Sequence, residues 1–176
     1  MLIRAAFPED AGAVAAIYAP YVRDTVITFE EDAPDAAEMA VRMAAGGALY
    51  PWLVAEDGGG LLGYVYARPY HARAAYRWTC ETTIYLAQER RGRGIGRPLY
   101  AELLARLEAA GFVTAIAAIT VPNAESTRFH TKLGFREAGR VTGVGFKHGA
   151  WRDVGYMQRD LAVRGAVPAE KLPRSS

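Results

Sequence analysis

The sequence has little of several features that mark particular classes of protein. Its single cysteine, Cys80, cannot form an internal disulfide, which is typical of a reducing compartment. The net charge of +2 is too small to indicate nucleic-acid binding. No segment approaches the roughly 20 apolar residues of a membrane span, and residues 1–10 lack the apolar run of a signal peptide. We therefore expect a cytoplasmic protein with no membrane or nucleic-acid partner.

Two common phosphate-binding motifs do not fit the chain either. A Walker loop requires Gly-Lys-Ser or Gly-Lys-Thr, and the sequence contains no Gly-Lys pair. The dinucleotide fingerprint Gly-x-Gly-x-x-Gly fails at Gly92-Arg93-Gly94, because Arg97 stands where the third glycine should be. Neither a P-loop enzyme nor a dinucleotide-binding domain is predicted from this region.

The rest of the composition is that of one globular domain. The chain has 176 residues, of which 51% are apolar and 23% charged. Strand-like and helix-like patterns alternate without a linker or internal repeat, which predicts a single α/β domain over residues 1–163. Residues 164–176 are polar and contain two prolines, so we predict a disordered tail there. The predicted strands are 2–5, 52–56, 61–67, 79–86, 113–121, 135–140 and 153–161; the predicted helices begin at Pro8, Asp35, Arg97 and Asn123.

A glycine-rich basic loop, residues 89–96, lies between a predicted strand and a predicted helix. Glycines permit positive φ angles and let the backbone approach a ligand closely. Free N–H groups at the start of a helix favour an anion such as a pyrophosphate. Arginines in and beside the loop add positive charge: Arg90, Arg91, Arg93 and Arg97. The loop is therefore a candidate phosphate site, although a solvated basic turn would have the same composition.

This loop carries a resemblance to a known family. Residues Arg91-Gly92-Arg93-Gly94-Ile95-Gly96 resemble the Arg/Gln-x-x-Gly-x-Gly/Ala loop of the GCN5-related N-acetyltransferases (GNAT). Two further segments, Asn123–Ser126 and Lys132–Phe135, resemble the second signature of that family. Within it, the chain is similar to phosphinothricin and methionine sulfoximine N-acetyltransferases from about Ile3 to Leu161. The segments that carry this closer similarity are Tyr50–Glu56, Ala74–Thr79 and Gly145–Gly155.

The resemblance implies a fold and a reaction. The fold is α/β, with a mixed, mostly antiparallel central sheet that is flanked by helices and splayed between its fourth and fifth strands. Acetyl-CoA is the implied cosubstrate and lies in that opening, with no metal. The implied reaction is direct attack of an α-amine on the thioester. The implied acceptor is a small glutamate-like amino acid, such as phosphinothricin or methionine sulfoximine or sulfone, and the implied assembly is a homodimer.

The same resemblance assigns residues to acetyl-CoA. The backbone groups of Ile84, Tyr85 and Leu86 are implied to hold the pantetheine arm, and the glycine-rich loop the pyrophosphate. Asn123 is implied to bond the pantetheine or thioester end, although asparagine also favours a helix N-cap. The full implied set is Ile84, Tyr85, Leu86, Arg91, Gly92, Arg93, Gly94, Ile95, Gly96, Arg97, Asn123, Ser126 and Lys132.

Two residues are implied to be catalytic. Glu81 stands in an apolar strand, where a carboxylate is costly without a role or a partner. The resemblance makes it the general base; the alternative is a structural carboxylate paired with Arg73 or Arg77. His130 stands where many family members carry a tyrosine that protonates the leaving thiolate. A histidine can act as acid or base near neutrality, but it can also simply satisfy a backbone carbonyl.

A third set of residues is implied to contact the acceptor. Arg73 can grip a carboxylate or phosphinate with two parallel hydrogen bonds, unless it is merely solvated. The aromatic side chains of Phe29, Tyr76 and Trp78 form either pocket walls or core. The implied substrate-binding set is His71, Ala72, Arg73, Tyr76, Glu81, Thr82 and Thr83.

Two other functions remain compatible with the sequence. One is acetylation of a different amine, such as a protein N-terminus, a polyamine or an aminoglycoside, against which the arginines near the pocket argue mildly. The other is a CoA-binding module without turnover, against which Glu81 and His130 argue.

Overall fold

The computed structural model describes residues 1–165. Within that range the strands form one seven-stranded sheet in the order β1-β2-β3-β4-β5-β7-β6, in which only β4 and β5 are parallel neighbours. The predicted mixed, mostly antiparallel sheet is therefore confirmed. The strands are β1 (Leu2–Ala5), β2 (Trp52–Asp57), β3 (Gly60–Pro69), β4 (Thr79–Leu86), β5 (Thr114–Val121), β6 (Arg136–Lys147) and β7 (Ala150–Asp160), and the helices are α1 (Ala11–Asp24), α2 (Ala36–Ala45), α3 (Gly96–Ala109) and α4 (Ala124–Lys132).

The helices cover the two faces of the sheet. Helix α3 packs on one face through its apolar stripe, and α1 and α2 pack on the other against an aromatic layer of Tyr64 and Tyr85. The start of α2 is as predicted, because Asp35 accepts from the Glu38 N–H at 2.8 Å to cap the helix. The helix predicted to begin at Pro8 starts later, because Pro8–Asp10 is a separate 3-10 turn before α1. The predicted stripe of α3 is fully buried and consists of Leu99, Leu103, Leu104 and Leu107.

The sheet opens between β4 and β5. The two strands pair only from Thr79 to Glu81, against Thr114 to Ile116, although β4 continues for five more residues. The predicted opening between the fourth and fifth strands is therefore present. The buried core consists of two hydrophobic clusters, one on each face of the sheet.

The register of β4 decides which backbone groups face this opening. The Ala87 N–H donates to the Leu62 carbonyl at 2.9 Å, and the antiparallel pairing of β3 with β4 continues from there. Because backbone groups alternate between neighbours in an antiparallel strand, Tyr85 bonds to β3. The N–H and C=O groups of Ile84 and Leu86 point the other way, where β5 has already diverged.

The C-terminal hairpin is longer than predicted. Strands predicted at 135–140 and 153–161 extend through β6 to Lys147 and from Ala150 through β7, joined by a turn with positive φ at His148 and Gly149. The glycine-rich segment 143–149 obscured the strand pattern, because glycine weakens β propensity. Two register shifts accommodate the irregular stretch.

The predicted tail falls almost entirely outside the described residues. Arg164, its first residue, is described and donates to the Thr114 hydroxyl at 3.1 Å and to Asp160 at 2.5 Å. Among the helices of residues 1–165, none is long and apolar enough to cross a membrane.

Candidate active site

The two faces of strand β4 carry different side chains. Glu81 and Thr83 lie on the face toward α1 and α2, whereas Cys80 and Thr82 are buried on the face toward α3. This alternation follows from the two-residue period of a strand. Thr82, which the resemblance placed at the acceptor, is therefore on the opposite face from Glu81 and only 2% exposed.

Glu81 is paired, but not with either arginine considered from the sequence. Its Oε1 atom accepts from Arg68 Nη2 at 2.6 Å, and the two residues are direct partners across β3 and β4. The Glu81 side chain is 15% exposed, whereas that of Arg68 is 57% exposed and reaches solvent. No other hydrogen bond to this carboxylate occurs within residues 1–165, so Oε2 is available to a ligand. The carboxylate thus sits oriented at the point where β4 and β5 separate.

Thr82 takes part in a buried hydrogen-bonded chain beneath the opening. Its hydroxyl lies 2.6 Å from the Tyr100 hydroxyl of α3 and 3.2 Å from the Ile116 carbonyl. Ile116 is the last residue of β5 that pairs with β4. The side chain of Thr82 thus supplies a donor just where backbone pairing between the two strands ends.

His130 closes the same chain from α4. Its Nδ1 atom lies 2.8 Å from the Ser126 carbonyl, and its Nε2 atom lies 3.2 Å from the Tyr100 hydroxyl. A carbonyl can only accept, so Nδ1 carries the proton and Nε2 accepts from Tyr100. The residue is 4% exposed. Both ring nitrogens are occupied, as expected for the alternative of a histidine that satisfies a backbone carbonyl.

The burial of His130 predicts a pH dependence of stability. Burial lowers the pKa of His130 below its usual value, so the unfolded chain, with a pKa near 6.5, binds a proton before the folded chain does. We expect the free energy of unfolding to fall as the pH drops below about 6.5, by up to about 1.4 kcal/mol per pH unit, until the folded-state pKa is reached. Urea unfolding at several pH values should show that the free energy of unfolding depends less steeply on pH in His130→Gln than in the wild type. The same pH dependence in both proteins would contradict the prediction.

The glycine-rich loop has the geometry of an anion cradle. Gly92 and Gly94 have φ angles of +74° and +79°, and a Cβ atom at either would meet nothing within 4 Å. The left-handed backbone itself, rather than crowding, therefore requires glycine at these two positions. Gly96 differs, because it starts α3 and a Cβ there would lie 3.1 Å from the Phe129 ring. Its role is close packing of α3 against α4.

The arginines of the loop fall into two groups. Arg91 pairs with Glu125 of α4 at 2.5 Å, and Arg90 lies 3.7 Å from Asp57. No carboxylate within residues 1–165 pairs with Arg93 or Arg97, and both are exposed beside the start of α3. Two guanidinium groups are thus available to an anion at this helix N-terminus.

The residues of the second signature lie in and around α4. Asn123 is the N-cap, and its Oδ1 atom accepts from the Ser126 N–H at 3.1 Å, so the cap considered from the sequence is present. Ser126 also supplies the carbonyl that bonds His130. Lys132 is exposed in the last turn.

The opening fits the coenzyme that the sequence implies. A pyrophosphate needs closely approachable backbone and cations, which Gly92, Gly94, Arg93 and Arg97 provide. The pantetheine arm carries amide groups, which can bond the unpaired backbone of β4. The Leu86 carbonyl already accepts from the Tyr21 hydroxyl at 2.5 Å. Its N–H has no partner within residues 1–165 and is the group that a ligand can bond. Tyr85, whose backbone bonds β3, supplies packing instead.

The remaining residues implied to touch the acceptor, His71, Ala72, Arg73 and Tyr76, are exposed between β3 and β4. His71 packs between Tyr70, edge to face, and Tyr76, at a tilt, with ring centroids 4.4 Å and 5.0 Å apart. Arg73 is exposed at the start of the short turn that carries Tyr76, and among residues 1–165 it has no ion-pair partner. Arg77 instead covers the Trp78 ring, 3.6 Å from its centroid.

A cavity on the Glu81 face was not predicted from the sequence. It has a volume of about 390 Å³ and lies between α1, α2 and the strands β2 and β3. Glu30 and Arg42 form one ion pair at 2.8 Å in its wall, and Arg68 connects the cavity to Glu81. The aromatic wall consists of Tyr18, Trp52, Tyr64 and Tyr66. The grouping joins two helices, their connection and two strands, so only their packing in the fold reveals it. Within residues 1–165 no cluster of His, Cys, Asp or Glu is arranged to hold a metal ion.

The sheet opens at its parallel pair, β4 and β5, and a left-handed glycine loop lies at the start of the next helix, as the resemblance to acetyl-CoA-dependent acetyltransferases implied. Residues 3–155 match the family model described as an acetyltransferase (GNAT) domain. The chain belongs to the GNAT acetyltransferase family, and it is an N-acetyltransferase that uses acetyl-CoA.

Relatives cover nearly the full length of the chain. It is 39% identical over 161 residues to the phosphinothricin N-acetyltransferase of Streptomyces viridochromogenes, spanning 92% of this chain and 88% of the relative. It is 34% identical to the L-methionine sulfoximine/L-methionine sulfone acetyltransferase of Pseudomonas paraeruginosa, spanning 94% and 98%. A solved phosphinothricin acetyltransferase from Sinorhizobium meliloti, in complex with AcCoA, superposes with a TM-score of 0.88 at 40% identity, spanning 99% and 98%.

Proposed function

We propose that this enzyme acetylates the α-amine of a small glutamate-like amino acid, such as phosphinothricin, methionine sulfoximine or methionine sulfone. The observation that carries the proposal is the position of Glu81. Its carboxylate is held by Arg68 at the point where β4 and β5 separate, beside a polar and aromatic cavity. The similarity to enzymes named for these acceptors supports the same substrate class.

Acetyl-CoA, when bound, supplies an activated thioester that an uncharged amine can attack. We assign its pyrophosphate to the backbone of residues 92–97 and to the guanidinium groups of Arg93 and Arg97. The pantetheine arm is assigned to the backbone groups of Ile84 and Leu86 and to Asn123. The Leu86 N–H is the donor assigned to the thioester oxygen, where negative charge develops.

Glu81 is assigned as the general base. An amino acid carries an ammonium group near neutral pH and must lose a proton before its nitrogen can attack. The Oε2 atom of Glu81 takes that proton, directly or through a water molecule, while Arg68 holds Oε1 in place. We assign His130 a structural role, because both of its nitrogens are engaged in the buried chain. The leaving thiol, with a pKa of about 8.5, departs without a dedicated acid.

The anionic part of the acceptor is assigned to Arg73 and the aromatic group around it, including His71 and Tyr76. Arg73 is exposed and has no carboxylate partner within residues 1–165, so its guanidinium remains available to a carboxylate or phosphinate. Thr83 lies on the same face of β4 as Glu81 and is also assigned to acceptor binding.

An acceptor panel tests the proposal. Thiol release from acetyl-CoA is measured with phosphinothricin, methionine sulfoximine and methionine sulfone, and in parallel with a peptide N-terminus, a polyamine and an aminoglycoside. We expect the glutamate-like amino acids to have the highest kcat/KM. A higher kcat/KM for one of the other amines would show that the acceptor belongs to that class instead. Binding of acetyl-CoA without turnover of any amine would indicate a non-catalytic module.

We also propose that the enzyme is a homodimer that associates through the β6–β7 hairpin. Phe146 and Trp151 pack edge to face on its surface and are 55% and 68% exposed. Val141 and Val144 of β6 are exposed as well, and exposed apolar side chains on one hairpin are typical of an interface between copies of a chain. We expect a dimer mass by light scattering at micromolar concentration, and a monomer mass for Trp151→Asp. A monomeric wild-type protein would contradict the proposal.

The predicted cytoplasmic location stays a prediction.

A further inference from the structure

The hairpin motif Gly145–Gly155 contains a lysine in an unusual position. Lys147, at the end of β6, is 4% exposed. Its Nζ atom donates to three backbone carbonyls, those of Val22 at 2.6 Å, Thr28 at 2.9 Å and Glu30 at 2.7 Å. An ammonium group has three N–H donors, so all of them are satisfied. Burying a charge is costly without such partners, which makes a specific role for this lysine reasonable.

All three acceptors belong to the end of α1 and to the connection between α1 and α2. This connection, residues 25–35, has no regular secondary structure over most of its length. Its Phe29 ring lies against Gly145, where a Cβ atom would come within 2.3 Å of the ring. The backbone of Glu30 is therefore held by β6, and the absence of a side chain at Gly145 makes room for Phe29.

The side chain of Glu30 connects the same segment to the cavity on the Glu81 face. Its carboxylate accepts from Arg42 at 2.8 Å and 2.9 Å and from the Tyr18 hydroxyl at 2.9 Å. Glu30, Tyr18 and Arg42 all line the cavity, and Arg68 lines it and bonds Glu81. A displacement of residues 28–30 would therefore move one wall of the cavity that adjoins the proposed base.

We infer that Lys147 is a positioning residue, which fixes the α1–α2 connection as a wall of the acceptor site. The inference rests on the proposed function, because it takes the cavity as part of that site. Lys147 is bonded neither to Glu81 nor to the glycine-rich loop, as the structure describes them. Its loss should therefore affect binding of the acceptor and leave binding of acetyl-CoA nearly unchanged.

The test compares Lys147→Met with Arg136→Met, an exposed cation on the same strand. For Lys147→Met we expect the KM of the preferred acceptor to rise about tenfold or more, the loss of about 1.4 kcal/mol of binding free energy. The KM of acetyl-CoA should change by less than about twofold in Lys147→Met. In Arg136→Met, the KM values of the acceptor and of acetyl-CoA should both change by less than about twofold. Equal increases in both KM values, or no increase in the acceptor KM, would overturn the inference.

Amide hydrogen exchange provides a readout that needs no turnover. Protection of residues 25–35 should fall in Lys147→Met while protection of β4 and α3 is retained. Protection lost uniformly, or nowhere, would contradict a local positioning role. If Lys147→Met does not fold, Lys147→Gln keeps two N–H donors and should give the same pattern with smaller changes. If the wild-type enzyme acetylates no amine of the panel, the proposed function fails, while the exchange pattern still decides whether Lys147 fixes the connection.

Discussion

Replacing Glu81 with glutamine should lower kcat at pH 7 by about 10²-fold or more, the lower range for a positioned acid–base group. Glutamine keeps the shape of the side chain and can still accept from Arg68, but it cannot take a proton from the acceptor ammonium. The deficit should shrink as the pH rises, because more of the acceptor is then already uncharged. Steady-state rates from about pH 6 to about pH 10 span the relevant pKa values.

The matched control for this change is Glu137→Gln, which alters an exposed glutamate on β6. It should leave kcat and its pH profile unchanged. Near-normal activity of Glu81→Gln at pH 7 would show that the base assignment is wrong and that solvent deprotonates the amine. A large deficit that is independent of pH would instead indicate that the Arg68–Glu81 pair matters for geometry.

The second large effect is expected in the glycine-rich loop. Gly94 has a φ of +79°, a conformation that a β-branched residue adopts only with strain of roughly 1–2 kcal/mol. A Cβ atom at this position meets nothing in the protein itself, so Gly94→Val should fold normally. The strained loop and the added methyl groups should nevertheless weaken acetyl-CoA binding by about tenfold or more, equivalent to about 1.4 kcal/mol.

Isothermal calorimetry with acetyl-CoA measures this change. The control is Gly58→Val, at a turn glycine that also has open space around it but does not require a positive φ. Its affinity for acetyl-CoA should equal that of the wild type. Equal affinity in Gly94→Val would remove the loop from the coenzyme site, and unfolding of the variant at the assay temperature would show that the substitution acts on the whole fold.

Much of the fold was predictable because it depends on residues close in sequence. Capping of α2 by Asp35, the leucine stripe of α3 and the strand 79–86 all follow from local periodicity and capping chemistry. The hairpin was the exception. Its strands were predicted too short because the glycines of residues 143–149 resemble a loop, and only pairing with the opposite strand reveals them as β structure.

Some contacts of individual side chains could be predicted from the sequence, and others could not. Asn123 was implied to bind the coenzyme, with a helix cap as the alternative. The cap is present, and it was predictable because a cap needs only the next three residues. Arg73 and Arg77 were considered as partners of Glu81 only in the alternative structural interpretation. The partner is Arg68, because it is set by the register of β3 against β4. Thr82 was expected at the acceptor and instead faces α3, although it neighbours Glu81 in sequence.

The sequence by itself determined the helices, most strands, the left-handed glycine loop and the family to which the chain belongs. These features depend on short motifs whose physical cause is local: capping, periodicity and the conformational freedom of glycine. The tertiary structure alone decided that His130 is enclosed, that Arg68 holds Glu81 and that Lys147 holds the α1–α2 connection. Lys147 and its acceptor in Val22 are 125 positions apart, and such contacts exist only once the sheet has brought distant strands and helices together.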